Sequence, residues 1–194
     1  MRTYTSLAVA LAVSLFSSHV AAQNLIPNAD IDTGIAGWNA NNGAVLDFDQ
    51  TQNVVGAVSG GSISVLNTTG NGSGVDANVC LVGPFPEGNY SFGAWIRIPQ
   101  GQGGSVSGHV LVSFRSDAAC STPIQGAATV VGPDGANDSW NLYTDEAVAP
   151  AGAGSARVAL QVFATNPGTT VFFDGVRFGP APTLPVELQT FSVD

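Results

Sequence analysis

Along residues 89–99, "NYSFGAWIRIP", apolar and polar side chains alternate with a period of two. Tyr90, Phe92, Ala94, Ile96 and Ile98 share one face, while Ser91, Gly93, Trp95 and Arg97 share the other. Such alternation marks a strand with one face turned to a core. Residues 106–115 repeat it, with Val110, Val112 and Phe114 opposing His109, Leu111, Ser113 and Arg115. So do residues 157–164, where Val158, Leu160 and Val162 oppose Arg157, Ala159, Gln161 and Phe163. Further β-branched and aromatic runs predict strands at 62–66, 75–82, 141–149 and 170–178, and a last one at 186–193. Turn-rich links such as "NTTGNGSG" (67–74), "PQGQGG" (99–104), "GPDGANDS" (132–139) and "APAGAGS" (149–155) separate them. Short strands between turns, without helical periodicity, predict an all-β fold: two antiparallel sheets packed as a β-sandwich.

The first 22 residues stand apart. Arg2, the apolar run "LAVALAVSLF" (7–16) and small residues before Gln23 read as a secretory signal peptide cleaved after Ala22. The run is too short to span a bilayer. The expected organisation is a signal at 1–22, one sandwich domain at 23–180 and a tail at 181–194. The tail either docks as an extra strand or hangs free, and "TLPVELQTFSVD" resembles segments that precede C-terminal sorting signals of bacterial surface proteins.

Removal of the signal leaves four arginines and no lysine against 14 acids. So acidic a surface repels phosphate backbones and anionic lipid heads, which argues against nucleic-acid or membrane partners. Cys80 and Cys120 are the only cysteines, and in an oxidising compartment an even pair reads as a disulfide. Closing a loop of that length stabilises the fold by roughly 3–4 kcal/mol in the chain-entropy model.

Sheet-on-sheet packing uses one face of each sheet, so another face must look outward. Trp95 and Arg97 are assigned to it. An indole that stacks on the C–H face of a pyranose, with Arg97, Ser113, Arg115 and Gln161 for its hydroxyls, makes a candidate glycan site. The alternative is a structural one, with Trp95 packed under a loop and Arg97 paired with an aspartate. Trp38 and Trp140 each follow a turn and open an apolar segment, so both are expected to plug the ends of the core. Asp30, Asp32 and Asp174 converge if the first and last strands are neighbours, which would suit Ca²⁺; separate Asx turns explain the same spacing.

The motifs also resemble a family. "NLIPNADIDTGIAGW" (24–38), "VSGGSISVL" (58–66), "YSFGAWIRIP" (90–99), and "APAGAGSARVALQVF" (149–163) followed by "VFFDGVRF" (171–178) resemble family 4/9 carbohydrate-binding modules. Cys80 and the cysteine of "SDAACSTP" (116–123) resemble a subgroup of secreted bacterial proteins of this type. The resemblance covers nearly all of the chain after the signal up to about residue 180. It implies a galactose-binding-like jelly roll that binds glycan and a structural Ca²⁺ joining the N-terminal motif to the "FDD" motif. In that set Asp32 takes the place of the family's Glu and Asp174 that of the first Asp. Backbone oxygens near Asp30 and residues 59–61 would complete the shell. Two positions depart from the family: Ala29 stands where it has Gly, and Gly175 where it has the second Asp.

Catalysis has little support. His109 is the only histidine after the signal, no Gly-x-Ser-x-Gly elbow occurs, and Glu87, Glu146 and Glu187 lie in distant segments. The expected function is therefore a secreted, non-catalytic polysaccharide binder. The alternative is an extracellular matrix or adhesion protein whose sandwich makes protein contacts.

Overall fold

A computed structural model describes residues 23–54 and 60–181, which form ten strands and no helix. The expected signal peptide (1–22) and the expected tail strand (186–193) lie outside the described residues. The first sheet orders its strands β1(Asn39–Asn41), β4(Gly74–Phe85), β9(Ala153–Ala164), β6(Val106–Arg115), β7(Gln125–Val131). The second orders β2(Ala44–Asp49), β3(Ser62–Asn67), β10(Thr169–Pro180), β5(Gly88–Arg97), β8(Asn141–Ala149). Every pairing between neighbouring strands is antiparallel. The chain is all-β, an antiparallel two-sheet sandwich.

The inward faces match the alternation. Phe92, Ala94, Ile96, Val110, Val112, Val158, Leu160 and Val162 are fully buried. At one end of the core Phe85, Tyr90, Phe114 and Phe178 pack together, Tyr90 and Phe178 stacked at 5.4 Å and the other rings edge-on or tilted at 5.7–6.1 Å. Buried aromatic rings prefer these offset and edge-to-face arrangements. Gly108 lets the sheets approach, since a Cβ there would meet a Val171 methyl at 2.7 Å. Trp38 joins the core, as expected from its place after a turn.

Ahead of β1, residues 24–31 lie along β10. Leu25 N–H donates to the Phe178 carbonyl and Val176 N–H to the Ala29 carbonyl, both at 2.8 Å. The Asn24 side chain bonds both Val176 O and Phe178 N. The first and last parts of the sandwich are thus neighbours, and Asp30 and Asp32 are carried toward Asp174. Cys80 and Cys120 form a disulfide with their Cα atoms 6.0 Å apart. Three strands were not anticipated. β1 and β2 are short and carry Asn and Asp, and β7 is Gly- and Ala-rich; all are held by ladders to stronger neighbours.

Phe178→Ala should lower unfolding stability by about 3–5 kcal/mol in a urea titration, because the hole opens among three other rings. Val148→Ala, at a position 66% exposed on β8, should change it by less than ~0.5 kcal/mol.

Candidate functional site

The register sets out rows of side chains on the outer face of the first sheet. Asp76, Gln161 and His109 form one row across β4, β9 and β6; Asn78, Ala159 and Leu111 the next; Cys80, Arg157 and Ser113 a third. Asp76 is 2% exposed, and its Oδ1 accepts from Arg157 Nη2 at 2.6 Å and from Asn78 Nδ2 at 2.8 Å. His109 Nε2 lies 3.1 Å from Asp134 Oδ1, and its ring is 5.8 Å from that of Phe163.

Phe163 lies on this face opposite Gly74 of β4. A Cβ on Gly74 would come within 2.7 Å of the Phe163 ring, so the glycine is what lets the ring settle over the neighbouring strand. The ring lines a cleft of about 610 Å³, bounded by the loops 99–105 and 133–136 and including Ser107, Asp134 and Thr165. Half-buried, with Gly74 against it and the His109 ring 5.8 Å away, the Phe163 ring presents part of its surface to the cleft.

The opposite end of the same face is closed. Cys120, in the loop after β6, reaches Cys80 on β4, so this loop spans the row Cys80–Arg157–Ser113. Ser113 is fully buried there, and Arg115 Nη1 donates to the Thr122 carbonyl of the loop. Ser113 is therefore out of a ligand's reach, and Arg115 is engaged by the disulfide loop. Gln161 lies two residues before Phe163 on the same face but does not line the cleft.

Trp95 and Arg97 belong to the other sheet. The five-residue site expected from the sequence is split between opposite faces, because β5 pairs with β8 and β10 and not with β6 or β9. Half-buried, Trp95 and Arg97 line a pocket of about 550 Å³ with Gln52, Asp138 and Trp140. Arg97 Nη1 donates to Gln52 Oε1, and Nη2 lies 3.3 Å from Asp138 Oδ1. Trp140 was expected in the core; it is half-buried outside the core cluster, because the loop 132–139 delivers it to the rim of the second sheet.

Asp174 sits beside this pocket at a bulge in β10. It is 3% exposed and accepts from Val54 N at 3.1 Å and Gly175 N at 2.7 Å. Burial pushes its carboxyl up to about 6; the two N–H bonds pull it down, and the negative charges of Asp30 and Asp32 add to the rise. The chain therefore brings Asp30 and Asp32 within electrostatic reach of Asp174. Among the described residues no three His, Cys, Asp or Glu side chains close into a metal-holding cluster. The donors are all hard oxygens, the type Ca²⁺ takes, so an ion there would need backbone carbonyls as well. Gly60 permits that approach, since a Cβ there would stand 2.4 Å from Asp32 Oδ1.

The sequence matches no family model and no curated protein. The fold does recur. It is similar to a family 16 carbohydrate-binding module, with a TM-score of 0.56 and 15% identity over 80% of this chain and 99% of the module. It is similar to a family 61 module solved with β-1,4-galactotriose, with a TM-score of 0.52 and 15% identity over 81% of this chain and 99% of the other. The enzymatically active domain of a bacteriophage CBA120 tailspike also shares it, with a TM-score of 0.61 and 13% identity over 80% of this chain but only 21% of that one. This chain has the fold of a carbohydrate-binding module. At such identities the likeness concerns fold, and a site must be argued from its own residues.

Asp174 gives a pH test with a definite sign. Its folded value lies above the unfolded value of 3.8, so its contribution is fully present below about pH 4 and is lost as pH rises through 6. In chelator, the melting temperature of the wild type relative to Asp174→Asn should fall by roughly 5 °C between pH 4 and 7. Parallel profiles for the two proteins would show that the carboxyl is not held in this way.

Proposed function

We propose that the protein is a secreted, non-catalytic module that binds a neutral polysaccharide in the cleft on the outer face of the first sheet. The observation that carries this reading is the Phe163 ring, set against Gly74 and lining that cleft. The surface it presents there offers stacking for the C–H side of a pyranose. Ser107, Thr165 and the backbone of the glycine-rich loop 99–105 line the same cleft and can exchange hydrogen bonds with hydroxyls, with Gln161 two residues before Phe163 on the same face. Apolar surface with a few fixed polar groups is the usual make-up of a ligand site.

Charge selects the class of chain. Asp76 is neutralised by Arg157, and Asp134 faces His109, so the cleft offers no unpaired cation to a uronate or sulfate. The acidic surface would repel such polymers as well. The fold of the neighbouring modules supports a carbohydrate ligand, and the Cys80–Cys120 disulfide fits an oxidising, extracellular setting. No helix among the described residues is long and apolar enough to cross a membrane. Among the described residues the exposed large apolar side chains Val45, Val82, Val130 with Ile124, and Val148 are spread over β2, β4, β7 and the residue before it, and β8.

Ca²⁺ is proposed as a structural ion held by Asp174 with Asp30, Asp32 and backbone oxygens. It would offset the repulsion among three carboxylates and fix residues 24–32 against β10. It supplies no chemistry to the ligand.

In affinity electrophoresis against soluble xylan, mixed-linkage β-glucan and β-1,4-galactan, the protein should be retarded in at least one gel. Phe163→Ala should reduce that retardation at least tenfold in apparent affinity, in line with the loss of about 1.4 kcal/mol or more of stacking. Retardation that survives this change unaltered would remove the cleft from the account. Ca²⁺ added after chelation should raise the melting temperature of the wild type at pH 7 and leave Asp174→Ala unmoved; an unresponsive wild type would remove the ion.

A further inference from the structure

The pocket on the second sheet is separate from this cleft and is built with equal care. Its lining includes Trp95, whose pyrrole edge meets Gly175 of the adjacent strand: a Cβ there would stand 3.0 Å from Trp95 Cδ1 and 3.7 Å from Nε1. Gly175 also adopts φ of +51°, in the left-handed region where glycine is at ease. Gly74 beside Phe163 and Gly175 beside Trp95 each leave room for an aromatic side chain of the neighbouring strand.

Both walls of the pocket are tethered. The wall carrying Asp138, Ser139 and Trp140 is pinned to the end of β5: Ile98 N–H donates to Asn137 Oδ1 at 2.8 Å, and Asp138 N–H to Ile98 O at 2.9 Å. The opposite wall, Thr51 to Val54, is held by Asp49 Oδ1 at Thr51 N, by Gln52 at Arg97 and by Asp174 at Val54 N. Neither Trp95 nor Trp140 belongs to the hydrophobic core. Two half-buried indoles around a tethered, solvent-reaching space are not needed to complete the packing. The lining carries one cation, Arg97, and one anion, Asp138, paired at 3.3 Å. An anionic ligand would have to displace Asp138 and a cationic one would meet Arg97, so the pocket suits a neutral ligand with apolar faces and many hydroxyls.

We infer that the pocket formed by Trp95, Trp140, Arg97 and Asp138 is a second carbohydrate site, which takes a neutral sugar unit on the sheet opposite the Phe163 cleft. The ligand class rests on the carbohydrate reading above, but the site does not depend on the cleft. The loop 132–140 crosses the end of the sandwich between them, giving Asp134 and Gly135 to one and Asp138 to Trp140 to the other. One molecule would then hold two sugar units at once, a route to avidity on a polymer.

The tryptophans make the two sites distinguishable. Trp38 is in the core, Trp95 and Trp140 line the pocket, and the cleft contains none. Intrinsic tryptophan emission would be titrated with xylohexaose, cellohexaose and β-1,4-galactotriose, alongside gel retardation on the matching polymers. Wild type and Phe163→Ala should both show a saturable change with at least one oligosaccharide. Trp140→Ala should lose it, read through Trp95, while melting within a few degrees of wild type, and Trp140→Phe should keep it. Emission that never responds while the wild type is retarded would overturn the second site and leave the cleft standing. So would a response that disappears in Phe163→Ala. A response in emission with retardation indifferent to Phe163→Ala would keep the pocket and overturn the cleft. Neither retardation nor emission change would overturn both. Should Trp140→Ala fail to fold, the wild-type and Phe163→Ala titrations still decide between these outcomes.

Discussion

A strand can turn only every second side chain inward, and in this sandwich that constraint determines what remains for function. Val110, Val112, Val158, Leu160, Phe92 and Ile96 fill the space between the sheets, leaving the alternate residues of the same strands to face outward. Each outer face then has to solve the problem of a flat ladder open to water. On each, an aromatic side chain meets a glycine of the adjacent strand: the Phe163 ring at Gly74, and the pyrrole edge of Trp95 at Gly175. An aromatic beside a sheet glycine covers backbone that has no side chain of its own. Each of the two aromatics also lines a cavity.

The polar residues around these aromatics are mostly occupied with one another. Asp76 holds Arg157 and Asn78, Asp134 holds His109, and Arg97 is shared by Gln52 and Asp138. These contacts orient the side chains, and Arg157 with Asp76 and Arg97 with Asp138 balance charge locally, which suits a ligand recognised by stacking and hydroxyl contacts over one recognised by ion pairing. The disulfide has a part in this layout as well. By carrying the loop after β6 toward Cys80 on β4, it covers part of the first sheet at the end away from Phe163.

Much of the sandwich was legible in the sequence because strand alternation is a local signal. The faces of β5, β6 and β9 were read correctly residue by residue, and Cys80 with Cys120 had a single possible pairing. Neighbour relations between strands were not legible. Trp95 with Arg97 and Gln161 with Ser113 and Arg115 look equivalent along the chain, yet β5 belongs to one sheet and β6 and β9 to the other. Ser113 looked available at its outward position, yet it is fully buried. Trp140 was misplaced for a similar reason: a turn before a large ring predicts a core plug, whereas the Asn137 contacts to β5 hold this ring at the rim. Phe163 carried a usable signal, an aromatic at an outward strand position, and its contact became recognisable only once the register placed it opposite Gly74.

The most direct test of the central claim follows backbone amides of ¹⁵N-labelled protein by NMR while xylohexaose, cellohexaose or β-1,4-galactotriose is added. If the outward face of the first sheet holds the sugar, the largest shift changes will fall together on Ser107, His109, Gln161 and Phe163 and on the loop that follows Pro99. Changes confined to the edge strands, or an unmoved spectrum with all three sugars, would contradict it.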